Sequence, residues 1–106
     1  MSLQGELNMV KKMKPHVKAI YDYILAHEDE NITAKDIQAA LGIEDVRKVN
    51  GVITMSLQRN RNEEKEIVPL AKRVEAEVEE ADGTHSKVKL IKLTDEGRNI
   101  EIEEVE

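Results

Sequence analysis

Apolar residues recur at helical spacing in the first sixty residues and predict two short helices at the start of the chain. After Pro15, which suits a first helical turn, the first helix is expected to end near His27. Its apolar stripe consists of Val17, Ile20, Tyr21, Ile24 and Leu25. Thr33 can cap a second helix over residues 34–41, and Gly42 can end it in a left-handed backbone conformation.

A third helix is predicted after this glycine turn, with Glu44 or Asp45 at its start. Its buried side is expected to consist of Val46, Val49, Val52, Ile53 and Leu57, which are spaced by three and four. The same spacing is expected to expose Arg47, Lys48, Asn50, Gly51 and Thr54. The third helix therefore presents one apolar side and one polar side.

A period of two follows the polar residues 63–66 and predicts a β-hairpin. Residues 67–78 alternate apolar side chains at even positions with charged ones, and residues 87–93 continue as a second strand. The Asp82-Gly83 pair between them is a strong hairpin signal. Thr94 then suits the cap of a last short helix.

Composition limits the core and the compartment. The 106 residues include two tyrosines and no Phe or Trp, so the core must be built from Ile, Leu, Val, Ala and Met. This length suits one domain. The absence of cysteine fits a reducing compartment, and no apolar run approaches the ~18 residues of a membrane span. We therefore expect a cytoplasmic protein without a membrane partner.

Charge is distributed unevenly along the chain, whose formal net charge is -6. Residues 9–73 contain 12 Lys/Arg against 10 Asp/Glu, whereas residues 74–106 contain 4 against 11. Residues 46–62 contain no acid and four cations, which are Arg47, Lys48, Arg59 and Arg61. Such a basic helix face can bind nucleic acid, but it is also common as a solvated surface.

Catalytic and metal-binding patterns are missing from the sequence. His16, His27 and His85 are isolated from one another, and there is no cysteine to complete a metal motif. Ser56 lacks the context of a nucleophile elbow, and the glycines do not form a phosphate-binding loop. We expect no enzyme activity, no metal and no cofactor. Met9, Met13 and Met55 are expected to fill the core.

The order of two helices, a glycine turn, a basic helix, a hairpin and Leu93-Thr94-Asp95-Glu96-Gly97-Arg98 resembles the winged helix-turn-helix family. It is most similar to the small MarR-like regulators of bacteria, in many of which the second strand runs into Leu-Thr-x-x-Gly-Arg. The resemblance covers roughly residues 15–100. It implies an α+β fold with a three-helix core and a C-terminal two-stranded hairpin, the wing.

The resemblance also implies a function in transcription regulation, with the third helix, residues 45–60, in the major groove of duplex DNA. The residues it places in the groove are Arg47, Lys48, Asn50, Gly51 and Thr54. The implied phosphate contacts are Lys35 and Gln38 on the second helix, with Arg59 and Arg61 beyond the third. Arg and Lys can reach guanine edges or phosphates, and Asn can pair with adenine. Thr can contact a thymine methyl, and Gly permits close approach of the helix to the DNA.

The wing departs from the family pattern because its tip carries Glu79, Glu80 and Asp82, which would repel phosphates. A protein-interaction module, with acidic wing and tail binding a basic partner, is the alternative function, and a phage-type accessory protein is a third. One groove-reading helix gives little affinity, so a homodimer on two half-sites is expected, with the N-terminal segment or last helix at its interface.

The chain is expected to divide into an arm, a folded domain and a tail. Residues 1–14 are an N-terminal arm, whose form as a flexible arm, short helix or dimerisation segment stays open, and Met1-Ser2-Leu3 resembles an expression remnant. Residues 15–100 form the folded domain, and residues 101–106 form an acidic tail.

Overall fold

The computed structural model of the protein describes residues 10–62 and 64–105. Its fold is α+β, as expected, with helices in the first part of the chain and an antiparallel hairpin behind them. In chain order the elements are β1 (Val10–Met13), α1 (Pro15–Ala26), α2 (Ala34–Leu41), α3 (Val46–Val52, continued by a π-helix over Ile53–Gln58), β2 (Ala71–Glu79), β3 (His85–Leu93), α4 (Asp95–Asn99) and β4 (Glu101–Glu104). Among the described residues, no helix combines the length and apolarity that crossing a bilayer requires.

The helix boundaries follow the predicted capping residues. Pro15 lies in the first turn of α1. Thr33 begins α2 with a complete capping box: the Asp36 amide donates to Thr33 Oγ1 at 3.4 Å, and the Thr33 amide donates to Asp36 Oδ2 at 2.9 Å. Gly42 ends α2 at a φ of 66°, where a side chain would be strained. Both predicted ends of α2 are thus confirmed.

One core, aliphatic except for Tyr21, joins the helices to the base of the hairpin. Its buried members are Met13, Val17, Ile20, Tyr21, Ile24, Ile32, Ile37, Val49, Ile53, Leu57, Leu70, Ala71, Ile91, Leu93 and Ile100. Four of the five residues of the predicted α1 stripe are buried, while Leu25 remains 42% exposed. Because the members come from every part of the described chain, the helices and the hairpin form a single folded unit.

The two ends of the described chain pair with each other, which differs from the expectation of an arm and a tail. β1 and β4 are parallel, with Val10 opposite Glu101 and Met13 opposite Glu104. Burial explains the pairing, because Met13 is 1% exposed and Ile100 is 8% exposed. Pairing also places the basic β1 beside the acidic β4, which favours their association. Residues 1–9, the rest of the expected arm with Met9, lie outside the described residues.

β2 and β3 form the predicted hairpin, in a register that places Ala76 opposite Val88. β2 begins at Ala71, four residues later than the alternation suggested. Alternation gives the hairpin two faces. The inner face carries Ala71, Arg73, Glu75 and Glu77 with Lys87, Lys89, Ile91 and Leu93, and the outer face carries Lys72, Val74, Ala76 and Val78 with Ser86, Val88, Leu90 and Lys92.

The base of the hairpin is joined to the segment between α1 and α2 by one backbone hydrogen bond and two side-chain hydrogen bonds. The Ile91 amide donates to Ile32 O at 2.9 Å, so the segment before α2 lies along the edge of β3. The Lys92 ammonium group donates to the carbonyl oxygens of Glu28 at 3.1 Å and Glu30 at 2.8 Å. The inner face is the one that meets the core, because it carries Ala71, Ile91 and Leu93 at its base.

Candidate nucleic-acid interface

The third helix, α3 with its π-helical continuation, begins at Asp45, one of the two predicted starts. The Arg47 amide donates to Asp45 Oδ1 at 2.8 Å. At the other end, the Arg59 amide donates to Thr54 O at 3.0 Å, which is the wider π-helical turn. Val49, Ile53 and Leu57 are 0% exposed, so the predicted buried side is confirmed in its centre. Val46 and Val52 are half-buried at its margin.

One stripe of the third helix faces away from the protein. Arg47, Gly51 and Met55 follow one another at intervals of four and are all exposed. The Arg47 side chain is 89% exposed and the Lys48 side chain 66% exposed. Met55 was expected in the core, but it is 62% exposed, because it lies opposite the side that carries Ile53 and Leu57. We call Arg47, Lys48, Gly51, Met55 and Arg59 the exposed stripe.

A second stripe of the helix is covered by Arg73 of β2. The Arg73 guanidinium donates to Asn50 Oδ1 at 3.0 Å, to Asn50 O at 3.3 Å and to Thr54 Oγ1 at 3.2 Å. It also donates to Gln58 Oε1. Asn50, Thr54 and Gln58 are again spaced by four, so one guanidinium spans two turns of the helix. Partial burial lowers the pKa of Arg73 from its ordinary value.

This arrangement corrects the expected exposure of two site residues. Asn50 and Thr54 are half-buried and accept hydrogen bonds from Arg73, whereas their spacing on the helix predicted that both face solvent. Periodicity on the helix alone could not predict this, because the covering residue comes from another element. Alternation did place Arg73 on the side of β2 opposite Val74 and Val78, but it could not show that this side faces the helix.

Acidic residues at the start of the helix neutralise its two leading cations. The Arg47 Nη2 atom lies 2.8 Å from Asp45 Oδ2, and Lys48 Nζ lies 3.5 Å from Glu44 Oε2. Both pairs are accessible to solvent, and such pairs contribute little to stability because water screens them. The cations can therefore exchange these partners for other anions at little cost.

The four residues predicted to contact phosphates lie at different distances from the exposed stripe. Lys35 is exposed on α2, and Gln38 Nε2 donates to Glu44 O at 3.4 Å, which places Gln38 beside the start of the third helix. Arg59 Nη1 lies 3.7 Å from Met55 Sδ, at the end of the stripe. Arg61 Nη1 donates to Lys65 O at 2.6 Å and belongs to the loop beyond the helix. The structure thus brings Arg59 to the stripe but leaves Arg61 in the loop.

The hairpin tip is acidic and internally bonded. Asp82 Oδ1 accepts hydrogen bonds from the Thr84 hydroxyl at 2.6 Å and the Thr84 amide at 3.0 Å. These bonds lower the pKa of Asp82. Gly83 completes the turn at a φ of 88°. The tip therefore stays negatively charged, and no group of three or more potential metal ligands occurs within the described part of the chain.

Changing Asp45 to Asn tests the charge at the helix start. Hydrogen bonds from the side chain and the amide of Arg47 hold the pKa of Asp45 below its ordinary value of 3.8. A carboxyl whose pKa is lowered by folding stabilises the protein above its unfolded pKa, and this stability is lost as the pH falls through the folded pKa. Asn retains the capping oxygen. We expect a higher Tm for the wild type at neutral pH, and a difference that closes in acid below 3.8.

Thermal unfolding followed by circular dichroism across this pH range measures the difference. Asp36→Asn, in the cap of α2, is the matched control, because no cation pairs with Asp36 in the described structure. A Tm difference for Asp45→Asn that is independent of pH would contradict a stabilising effect of the Asp45 charge.

Comparisons of the chain with protein-family models, with curated proteins and with solved structures found no match.

Proposed function

We propose that the protein is a winged helix-turn-helix DNA-binding protein that inserts its third helix into the major groove of duplex DNA and regulates transcription. The observation that carries this proposal is the exposed stripe on a helix that begins directly after a glycine turn. Arg47 and Lys48 supply two cations, and a Cβ at Gly51 would meet nothing within 4 Å. A helix with this open, cationic face fits the width of the major groove.

Each member of the stripe has a chemical role in this proposal. Arg47 and Lys48 release Asp45 and Glu44 and bind guanine edges or phosphates. Gly51 lets the helix backbone approach the bases, and Met55 provides an apolar contact for a thymine methyl. Arg59 reaches a phosphate at the end of the groove. Met55 thus takes the apolar role that was expected of Thr54.

Arg73 has a positioning role, because it ties the hairpin to the helix through Asn50, Thr54 and Gln58. A helix held at a fixed angle to the hairpin loses less conformational entropy when it enters the groove. The acidic tip, with Glu79, Glu80 and Asp82, would be repelled by phosphates, so the wing orients the domain without gripping the backbone. Affinity then depends mainly on the helix.

The test is binding to random duplex DNA across a salt series that starts at ~50 mM, for the wild type and for Arg47→Ala combined with Lys48→Ala. Loss of two phosphate-contacting cations should weaken binding about tenfold or more and reduce the slope of log affinity against log salt by about 2. Lys12→Ala with Lys14→Ala is the matched control, because it removes the same charge from exposed positions in and directly after β1.

Gly51→Leu tests groove insertion without changing the charge of the helix. Leucine is a good helix former, and the open space around Gly51 can accept it, so the variant should fold at least as stably as the wild type. Its added bulk should nevertheless weaken DNA binding. Undiminished binding by both the Gly51 and the double alanine variants would refute groove insertion, and absence of any binding by the folded wild type would favour the protein-interaction module.

A further inference from the structure

The outer face of the hairpin is largely apolar and only partly covered. Leu90, opposite Val74, is 8% exposed, whereas the valines of β2 remain exposed. Val74 is 40% exposed and Val78 is 37% exposed, with Ala76 between them and Val88 opposite Ala76. The core lies on the other side of the sheet, where Ala71, Ile91 and Leu93 are buried. Removing exposed apolar side chains from water is favourable in proportion to the area buried. This face is therefore a candidate docking surface.

Lys72 and Glu80 lie at the two ends of this face on β2, while Lys92, opposite Lys72, donates to carbonyl oxygens of the segment before α2. On the inner face, Glu77 Oε1 lies 3.2 Å from His85 Nδ1, and Glu75 Oε1 lies 4.0 Å from Lys87 Nζ. On the outer face, Lys72 lies at the base, and Glu80 continues the even positions at the tip, where its amide donates to Thr84 O at 2.6 Å. Neither Lys72 nor Glu80 forms an ion pair with any described residue.

The outer-face residues of β2 are arranged so that two copies of the strand, running in opposite directions, match each other in charge and apolarity. From base to tip they are Lys72, Val74, Ala76, Val78 and Glu80. A second strand laid over them in the opposite direction, with Ala76 over Ala76, sets each Lys72 on a Glu80 and each Val74 on a Val78. On β3 the same operation sets Val88 on Val88. A two-fold axis is the symmetry that most dimers of identical chains use.

We propose that the outer face of the hairpin binds a second copy of this chain, with the two faces apposed, the strands antiparallel and Ala76 at the two-fold axis. The contact buries the valine side chains and pairs the charges at both ends. Its small central residue lets the two sheets approach closely. The third helix remains uncovered, because Arg73 ties it to the inner face.

Apposed faces are favoured over pairing along the free edge of β2. Edge pairing about Ala76 would set Glu75 directly opposite Glu77 of the second strand, twice in each dimer, and like charges in that position are destabilising. When the outer faces meet, both glutamates point away from the interface, on the inner face.

The dimer should be weak because the face is small. Stable complexes bury about 800 Å² on each partner, and one face of two nine-residue strands provides less than that. We expect a dissociation constant between about 1 μM and 1 mM. This expectation is independent of the proposed DNA-binding function, because it involves neither DNA nor the exposed stripe.

The test is sedimentation equilibrium of the full chain up to ~1 mM protein, without DNA. The wild type should dimerise, and Ala76→Glu should be monomeric, because it brings two carboxylates together at the axis. Lys72→Glu and Glu80→Lys should each weaken the dimer about tenfold or more, whereas the double exchange should restore it. Lys89→Glu, the same charge change on the inner face, should leave the dissociation constant unchanged.

Two results would overturn the proposal. One is a wild type that remains monomeric throughout the concentration range. The other is a dimer that Ala76→Glu leaves intact, which would place the interface elsewhere, for example at the N-terminal segment. Circular dichroism of each variant confirms that the chain is folded, and the rescue by the double exchange excludes a general loss of structure.

Discussion

Gly97→Ala is expected to lower the free energy of unfolding by about 3 kcal/mol, because α4 has no room for a methyl group at this position. A Cβ built on Gly97 would lie 1.9 Å from Leu70 O and 2.8 Å from Leu70 C. Leu70 O cannot retreat easily, since it also accepts the Thr94 amide at 3.0 Å. If α4 moved away from Leu70 to make room for the methyl group, it would also disturb the buried hydrogen bond from the Tyr21 hydroxyl to Gly97 O, whose length is 2.5 Å.

Urea unfolding of Gly97→Ala beside Gly51→Ala gives a matched comparison, since both change glycine to alanine within a helix. Nothing lies within 4 Å of a Cβ at Gly51, so that variant should gain about 0.5–1 kcal/mol from helix propensity. If Gly97→Ala also gained stability, the close approach of α4 to Leu70 would be wrong.

Arg73→Met should lower the free energy of unfolding by about 2 kcal/mol and loosen the hairpin from the third helix. Methionine retains the apolar stem but loses the charged hydrogen bonds to Asn50, Thr54 and Gln58, and such bonds contribute about 1.5–3 kcal/mol. Urea unfolding measures the stability, and amide hydrogen exchange of β2 should speed up where Arg73 had fixed the strand.

Arg59→Met is the control for this change, because Arg59 is exposed and the one side-chain hydrogen bond it forms in the described structure is the weak contact with Met55 Sδ at 3.7 Å. It should alter stability by less than about 0.5 kcal/mol. Arg73→Lys should recover only part of the loss, since an ammonium group lacks the fork that reaches both turns of the helix. Equal stability of Arg73→Met and Arg59→Met would show that the Arg73 cluster has no structural effect.

For the proposed function, Arg73 also explains how the two halves of the site depend on each other. The exposed stripe and the Arg73-covered stripe are adjacent on the same helix, so a loosened hairpin changes the setting of Arg47 and Met55 without touching them. We therefore expect Arg73→Met to weaken DNA binding through the angle of the helix. Its salt dependence should remain that of the wild type, because no cation of the exposed stripe is lost.

Local signals in the sequence were sufficient for the helices and the turns. Thr33 and Gly42 act within one or two turns of their own positions, so short-range chemistry determines the ends of α2. The same holds for Asp45 and for the hairpin turn at Gly83. The buried centre of the third helix also follows from spacing alone, because Val49, Ile53 and Leu57 lie on one side of any helix.

The candidate site was predicted less completely than the fold. The sequence identified Arg47, Lys48 and Gly51, and the structure places all three on the exposed stripe. Two residues beside these were not predicted there: Met55, which was assigned to the core but is exposed, and Arg73, which comes from β2. A methionine fits either side of an amphipathic helix, and hydropathy therefore does not distinguish them.

The sequence by itself determined the order of the elements, their caps and the two-sided character of the third helix and the hairpin, because each depends on neighbours within a few residues. Only the tertiary structure decided which side of each element is covered. In the folded chain Arg73 donates to Asn50 and Thr54, Val74 and Val78 remain exposed, and residues 10–13 pair with residues 101–104. These contacts join residues far apart in the chain, and periodicity specifies a face without specifying what the face meets.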